Sequence, residues 1–271
     1  MKDLPFWKMS GSGNDFIIID NRQLTFTKKD VRKFVSKVCK RSLSVGADGV
    51  IFIEPSDKAD FKWDFYNSDG STAEMCGNGS RCAARYAFLN GISGDKVTFE
   101  SIAGIISAEI TDDRRVKVKL TKPYDFRKDI SIDTIDRNFL GFFVNTGVPH
   151  TVVEVDDVEN FDVKKYGNFI RFHSLFAPKG TNVNFCKVVG KNLVKIRTYE
   201  RGVEDETLAC GTGSAAVAYV LNMAGKVSSP VKLTTSGGME LIIHIEKEDI
   251  FLEGEARIIY KGTLTNEAYE Y

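Results

Sequence analysis

Hydrophobic positions along this chain fall mostly into short runs of four to seven residues, separated by polar or glycine-containing turns. This spacing is typical of β-strands. In the first half the runs cover residues 6–9, 16–20, 50–54, 61–66, 97–100, 105–110 and 116–120, and in the second half they cover 142–145, 151–155, 183–189, 193–199, 231–235, 241–245 and 250–253. The pattern predicts two sets of strands of similar size.

A smaller part of the hydrophobic pattern has a helical period. Val31, Phe34, Val35 and Val38 recur at positions i, i+3, i+4 and i+7, which predicts an amphipathic helix. Thr27 followed by Asp30 resembles a capping box at its start. Three more helices are predicted at residues 81–89, 163–176 and 214–224.

One sequence motif occurs twice, each time at the start of a predicted helix. Residues 75–80 read Met-Cys-Gly-Asn-Gly-Ser and residues 209–214 read Ala-Cys-Gly-Thr-Gly-Ser, which places Cys76 and Cys210 134 residues apart (76 to 210). At the same offset Gly13 corresponds to Gly147, and residues 97–104 correspond to residues 231–238. These matches indicate a duplicated domain that contributes one thiol from each half.

The combined pattern predicts an α+β fold of two pseudo-symmetric domains, each a many-stranded sheet or barrel around a central helix. A chain of 271 residues is long enough for two such domains. We expect residues 1–125 to form the first domain and residues 126–257 the second, with a linker at 121–137. The C-terminal segment, residues 258–271, can join the first domain or stay with the second.

Composition excludes several classes of function. The 37 basic and 37 acidic residues balance. Because the chain has no excess of basic residues, its composition does not predict nucleic-acid binding. The chain shows neither the apolar part of a signal peptide nor a run of membrane-spanning length, so we expect a cytoplasmic protein that does not bind membranes. Five cysteines without a Cys-x-x-Cys pair predict reduced thiols, and three histidines without ligand spacing predict no metal site.

The repeated cysteine motif carries the chemistry. A cysteine before Gly-x-Gly at a helix start lies where backbone N–H groups and the helix dipole stabilise a thiolate, so we expect a lowered thiol pKa. The glycines allow an anionic ligand close to the backbone. One thiolate and one thiol on opposite faces of a carbon atom would invert that centre, which predicts a racemase or epimerase. Three further cysteines, Cys39, Cys82 and Cys186, are interpreted as core residues.

A rival interpretation is weaker. Residues 211–216 fit the dinucleotide fingerprint Gly-x-Gly-x-x-Ala. No βαβ pattern follows this segment, and no acidic residue closes a second strand. A dinucleotide-dependent oxidoreductase would also require a bound chromophore.

Longer motifs make the chain similar to the diaminopimelate epimerase family over essentially its whole length. They are Lys-Met-Ser-Gly-Ser-Gly-Asn-Asp-Phe at 8–16, Asn-Ser-Asp-Gly-Ser at 67–71, Met-Cys-Gly-Asn-Gly-Ser-Arg-Cys at 75–82, Asn-Val-Asn-Phe at 182–185, Tyr-Glu-Arg-Gly at 199–202 and Thr-Leu-Ala-Cys-Gly-Thr-Gly at 207–213. The related proline racemases and hydroxyproline epimerases carry a histidine where this chain has Asn78.

The resemblance implies interconversion of LL- and meso-diaminopimelate, in lysine and peptidoglycan precursor synthesis, by a cytoplasmic homodimer without pyridoxal phosphate or any other cofactor. It implies that Cys76 and Cys210 are catalytic and that His150 and Glu200 tune the thiol pKa values. The implied substrate-binding residues are Asn14, Asn67, Gly77, Asn78, Asn182, Glu200, Arg201, Gly211 and Thr212. Arg201 suits a carboxylate and Glu200 an ammonium group of a diamino diacid. Asp15 and Asp69 are interpreted as turn residues.

Three departures from the usual family pattern concern substrate contacts. Val148 stands where asparagine is usual, Gly49 stands where some members have glutamine, and the segment 200–210 is one residue longer than in many members. Two alternatives therefore stay open: a racemase or epimerase of another amino or hydroxy acid on the same fold, and a non-catalytic protein that binds amino acids.

Overall fold

A computed structural model describes residues 4–24, 26, 29–72 and 76–271 and confirms a strand-rich α+β fold. The strands are β1 Leu4–Gly11, β2 Asn14–Asp20, β3 Gly49–Glu54, β4 Phe61–Asn67, β5 Lys96–Ser101, β6 Gly104–Ile110, β7 Arg115–Lys119, β8 Tyr124–Asp133, β9 Asn138–Asn145, β10 Pro149–Glu154, β11 Asn182–Gly190, β12 Leu193–Glu200, β13 Asp205–Thr207, β14 Val231–Thr234, β15 Glu240–Glu246, β16 Asp249–Glu255 and β17 Arg257–Leu264. The helices are α1 Val31–Val38, α2 Gly77–Leu89, α3 Val163–Arg171 and α4 Gly211–Met223, with short 3₁₀ helices at Ser174–Phe176 and Asn266–Ala268.

The chain divides into two compact units. The first consists of Met1–Val118 with Gly254–Tyr271, and the second of Lys119–Glu253. The boundaries expected from the sequence, at residues 125/126 and 257/258, stay a prediction about folding domains. The linker predicted at 121–137 is wrong, because β8 lies within it and pairs with β9 in antiparallel register. Most side chains of β8 are exposed, so it has no apolar run that would mark it as a strand.

The first unit contains one sheet covered on both faces. Its strand order is β17–β1–β2–β3–β4–β5–β6–β7, with parallel pairing only at β2–β3 and β4–β5. Side chains alternate along β2, so Phe16 and Ile18 pack with α2 while Ile17 and Ile19 pack with α1. Burial on both faces explains why β2 and β3 are continuously apolar.

The second unit repeats this topology. Its strand order is β8–β9–β10–β11–β12–β14–β15–β16, and parallel pairing occurs at the corresponding places, β10–β11 and β12–β14. Helix α3 packs on one face through Val163 and Ile170. Helix α4 is buried through most of its length, as its alanine-rich sequence requires. The predicted duplication is confirmed by this matching strand order.

The C-terminal strand completes the first sheet. β17 pairs with β1 from Leu4–Leu264 to Ser10–Arg257, with one irregularity between Lys8 and Met9. It occupies the edge position that β8 occupies in the second sheet. The chain therefore returns to the first unit after leaving the second.

Helix limits differ from those predicted by periodicity. The helices around Cys76 and Cys210 begin at Gly77 and Gly211, because the glycine-containing motif forms their first turn. The helix predicted at 163–176 ends at Arg171, and His173, with extended backbone angles, separates it from a 3₁₀ turn. Asp30 precedes α1 without a side-chain cap bond, and Thr27 of the predicted capping box lies outside the described residues.

The three cysteines interpreted as core residues are buried. Cys39 packs with the α1 side of the first sheet, Cys82 packs with the α2 side, and Cys186 lies inside the second unit. Burial raises the thiol pKa of each. Their role in the core is confirmed. Within the part of the chain that the structure describes, no helix has the length and apolar character needed to span a membrane.

Gly167 tests the close contact between α3 and β12. A Cβ atom on Gly167 would lie 2.5 Å from Cβ of Tyr199, which is fully buried. We expect Gly167→Ala to lower the free energy of unfolding by about 1–3 kcal/mol, although alanine favours helix, because overpacking must displace Tyr199. Urea denaturation measures this, with Gly94→Ala as control because no atom lies within 4 Å of the added Cβ. Equal stability of the two variants would contradict the contact.

Candidate active site

Cys76 occupies the N-cap of α2. Its backbone is extended (φ −142°, ψ 114°), and its carbonyl oxygen accepts a hydrogen bond from the Ser80 amide at 2.8 Å. The first turn contains no acidic side chain. Because the first N–H groups of a helix have no partner inside it, this turn presents donors and partial positive charge beside the Cys76 thiol.

A chain of polar side chains lies beneath this helix start. Arg81 donates to Oδ1 of Asn78 at 2.8 Å, the Asn78 amide donates to Oδ1 of Asn14 at 2.5 Å, and the Asn14 amide donates to Asp48 at 3.1 Å. Gly11 permits the approach, since a Cβ there would lie 2.7 Å from the Asn78 carbonyl oxygen. Two predicted binding residues, Asn14 and Asn78, are therefore held in one network.

Arg81 is a functional candidate that the sequence reasoning missed. Its side chain is fully buried and also donates to Ser12 Oγ and to the carbonyl oxygens of Gly77 and Glu255. Among the described residues it forms no ion pair. Burial lowers the pKa of its guanidinium to about 10. A cation inside an otherwise small and apolar helix segment was the available sequence signal.

Asn67, Asp69 and Asp15 form hydrogen bonds that stabilise local structure in the first unit. Asn67 donates to Ser71 Oγ at 3.0 Å, and Asp69 accepts from the Ser71 amide at 2.8 Å, which closes the turn after β4. Burial acts to raise the pKa of Asp15, but hydrogen bonds from Arg41 and Lys8 outweigh it and lower that pKa to about 2. The turn role predicted for Asp69 is confirmed, whereas Asp15 is the centre of an ion cluster.

Gly49 pairs with Asn67 across β3 and β4. A Cβ at Gly49 would lie 2.5 Å from the Tyr66 carbonyl oxygen and 2.6 Å from Cε2 of Phe65. A glutamine at this position would therefore need a shifted β4. The neighbouring backbone and the Phe65 ring fill the position instead.

Cys210 occupies the equivalent N-cap of α4, with backbone angles φ −120° and ψ 111°. Its sulfur accepts from the Gly213 amide at 3.4 Å and lies 3.5 Å from Thr212 Oγ1. Burial raises the pKa of Cys210 to about 12, the Glu200 charge acts in the same direction, and the Thr212 and Gly213 hydrogen bonds oppose them. The lowered pKa expected from the sequence is wrong for Cys210, because burial outweighs the donors at the helix start.

His150 on β10 connects to this cysteine through Thr212. Its Nε2 lies 3.0 Å from Thr212 Oγ1, and its Nδ1 lies 3.2 Å from the Asn184 side-chain amide. Burial lowers the pKa of His150 to about 3, and the charge of Arg201 acts in the same direction. The imidazole is therefore neutral at physiological pH.

The remaining predicted residues surround the end of β12. Asn182 lies opposite His150 in the parallel β10–β11 pair, and its Oδ1 accepts from the Arg201 amide at 2.8 Å. Burial raises the pKa of Glu200. The Thr207 hydroxyl donates to Oε2 of Glu200 at 2.9 Å, and this hydrogen bond partly opposes the effect of burial. The Arg201 guanidinium donates to the Lys179 carbonyl oxygen at 3.3 Å and joins no ion pair among the described residues.

The structure therefore brings together two sets of predicted residues, one in each unit. In the first unit these are Asn14, Asn78 and Gly77 beside Cys76, while Asn67 bonds within its turn. In the second unit, hydrogen bonds join His150, Thr212 and Cys210, and others join Asn182 to Arg201. Across residues 4–24, 26, 29–72 and 76–271, no group of three or more His, Cys, Asp or Glu side chains is placed to hold a metal ion.

Comparison with known proteins gives a consistent result. A family described as diaminopimelate epimerase matches residues 6–125 and 142–259. The diaminopimelate epimerase of Aquifex aeolicus is 49% identical over 281 residues, covering 99% of this chain and 100% of the relative. That of Hydrogenobaculum sp. is 51% identical over 276 residues, covering 97% of this chain and 99% of the relative.

Solved structures show the same fold at low sequence identity. A phenazine biosynthesis protein of the PhzF family from Bacillus anthracis superposes with a TM-score of 0.74 at 14% identity, covering 98% of this chain and 100% of that one. A hydroxyproline epimerase from Agrobacterium vitis gives 0.69 at 14% identity, covering 99% and 93%. These similarities support the fold alone.

His150 gives the stability of the protein a defined pH dependence. Between about pH 3 and an ordinary histidine pKa of about 6.5, the unfolded chain binds a proton that the folded protein does not. The contribution of neutral His150 to the free energy of unfolding is therefore full above that pH range, and it is lost as the pH falls through the range. We expect the stability advantage of the wild type over His150→Gln to shrink below pH 6.5 by up to about 1.4 kcal/mol per pH unit. Urea denaturation from pH 7.5 to 5 measures this, and a constant difference would contradict a neutral buried His150.

Proposed function

Because the chain belongs to the diaminopimelate epimerase family, we propose that Cys76 and Cys210 are its catalytic acid–base pair. The protein is an isomerase, and its substrate is diaminopimelate, whose LL and meso forms differ at one α-carbon. The observation that carries the proposal is the repeated helix start. Each unit contains a 13-residue helix whose N-cap is a cysteine with extended backbone angles.

The two thiols divide one proton exchange between them. A thiolate removes the α-proton from one face of the substrate carbon, and the opposite thiol donates its proton to the other face. Burial favours the protonated form of Cys210, so Cys210 is the proton donor when the enzyme begins in that state. Cys76 is then the base, and the two residues exchange roles in the reverse direction.

The helix starts stabilise the charge that develops during this exchange. Removing the α-proton places negative charge on the α-carbon and its carboxylate. The amides of Gly77 and Asn78 in one unit, and of Gly211 and Thr212 in the other, are donors at helix N-termini and suit that carboxylate. Donors fixed before the reaction need no reorganisation when the charge forms.

The other end of the substrate requires groups of both signs. The Arg201 guanidinium suits the distal carboxylate, and the Glu200 carboxylate suits the distal ammonium group. Asn182 holds the Arg201 backbone through its Oδ1 and so positions that side chain. Asn14 and Asn67 complete the proposed set of binding residues. The enzyme acts as a cytoplasmic homodimer without cofactor or metal, and nucleic acid and membranes are not its partners.

Removing either thiol tests the proposal. We expect Cys76→Ala and Cys210→Ala each to lower epimerisation by at least about 10²-fold, because each removes a group that transfers a proton in the transition state. Proton NMR with LL-diaminopimelate in D₂O, with chelator and no added cofactor, measures the loss of the α-proton signal and the appearance of the meso isomer.

Cys82→Ala is the matched control, since it removes a buried thiol from the same helix as Cys76. It should keep turnover near that of the wild type. Near-wild-type epimerisation in either of the other variants would reject the two-thiol mechanism. Exchange on proline or hydroxyproline, with none on diaminopimelate, would retain the mechanism and change the substrate.

A further inference from the structure

We propose that Asn184 is a positioning residue that selects the protonated nitrogen of His150 and thereby directs a hydrogen bond from Thr212 to the Cys210 sulfur. This inference rests on the proposed function of Cys210. All four side chains lie in the second unit, on β10, β11 and the start of α4. Asn184 is fully buried in β11, two residues after Asn182 on the same face of the strand.

The orientation of the Asn184 amide is determined by its neighbours. Its nitrogen lies 3.0 Å from the Thr151 carbonyl oxygen, which only accepts hydrogen bonds. Its oxygen accepts from the Thr198 hydroxyl at 3.0 Å. Exchanging the two atoms would place two acceptors against each other inside the protein, so the amide nitrogen faces His150.

This orientation fixes the tautomer of His150. The Asn184 nitrogen only donates, and it lies 3.2 Å from Nδ1 of the imidazole. Nδ1 must therefore offer a lone pair. In a neutral imidazole the proton is then on Nε2, which donates to Thr212 Oγ1 at 3.0 Å.

The direction of this bond determines what Thr212 offers to the thiol. With Oγ1 accepting from His150, the Thr212 hydroxyl proton can point toward Cys210 Sγ at 3.5 Å. It joins the Gly213 amide, which donates to the same sulfur at 3.4 Å. Successive hydrogen bonds polarise one another, so the chain from Asn184 to Thr212 strengthens the donor that a Cys210 thiolate receives.

Gly213 allows this arrangement. A Cβ on Gly213 would lie 2.3 Å from Oδ1 of Asn184, so the start of α4 approaches β11 closely only because that residue is glycine. The corresponding glycine of the first unit, Gly79, faces the apolar side chains of Ile51 and Phe16 instead. The hydrogen bonds that run from Asn184 through His150 and Thr212 to Cys210, here called the relay, therefore belong to the second unit. The duplicated helix starts differ in what lies beneath them.

Two charged groups act on the relay from outside it. The Glu200 carboxylate raises the pKa of Cys210, and the Arg201 charge lowers the pKa of His150. Glu200 and Arg201 are not substituted in the variants used below. A change in the titration of Cys210 in those variants therefore reports the relay.

The tautomer is tested by ¹⁵N NMR of the imidazole nitrogens in the full-length protein. His150 is assigned by difference, using variants of the other two histidines, His173→Gln and His244→Gln. In the wild type we expect an unprotonated Nδ1 and a protonated Nε2 from pH 5 to 9. In Asn184→Leu we expect this preference to be lost. A protonated Nδ1 in the wild type would overturn the proposal without any variant.

The effect on the thiol is tested by alkylation and by kinetics. Peptide mass spectrometry follows iodoacetamide labelling of Cys210 against pH. We expect Cys210 to be labelled more slowly in Asn184→Leu than in the wild type at the same pH. We also expect kcat to fall about 10–100-fold while KM stays within about threefold, because a misplaced reactive group can cost about 10²-fold in rate. Asn222→Leu is the matched control, because the Asn222 amide lies on α4 and donates to the Val227 carbonyl oxygen instead.

A folded Asn184→Leu variant with the wild-type tautomer, labelling rate and kcat would overturn the proposal. Thr198→Val keeps the amide but removes the donor to its oxygen, so it should give a smaller shift in the same direction and provides a test if the leucine variant does not fold. The NMR and labelling measurements do not depend on turnover. A wild type with the expected tautomer but no epimerase activity would therefore reject the proposed function separately.

Discussion

Both units depend on burying a central helix whose first turn still needs polar partners. Helix α2 packs with the Phe16 and Ile18 side of the first sheet, and α4 is buried from Gly213 to Leu221 with few interruptions. The first N–H groups of each helix have no partner within the helix, and the first residues, Gly77 and Gly211, are half-buried. A cysteine at each N-cap places a weakly acidic thiol beside these donors. The fold thus places each proposed catalytic thiol beside a proposed anion-binding position.

The two helix starts are alike in backbone but differ in their surroundings. The first lies above Arg81, a buried cation that donates to neutral oxygen atoms of Ser12, Asn78 and Glu255. The second lies near the Glu200 carboxylate and above a neutral histidine. The proposed reaction, with one base and one acid, needs the two thiols in different protonation states at any moment. The difference in buried charge provides a physical basis for such unequal states, which two identical helix starts would lack.

Local pattern predicted most of the architecture, because burial on both faces of the sheets makes strands such as β2 and β3 continuously apolar. The repeated motif located both helices and both cysteines. The exposed strand β8 was missed because pairing with β9, and not its own sequence, holds it in place. The raised pKa of Cys210 was missed because burial depth is a property of the folded chain. Asn184 was visible as a polar residue in an apolar strand, but its partners on β10 and β12 are distant in sequence.

The charge of Glu200, a proposed binding residue, acts on the Cys210 thiol. The carboxylate raises the pKa of Cys210 and so favours the thiol. The same burial that strengthens this interaction makes an unpaired Glu200 costly, as its own raised pKa shows. A cation bound to Glu200 would offset both effects, because it neutralises the charge that the sulfur experiences. A cationic ligand bound to Glu200 would therefore let the Cys210 thiolate form more readily.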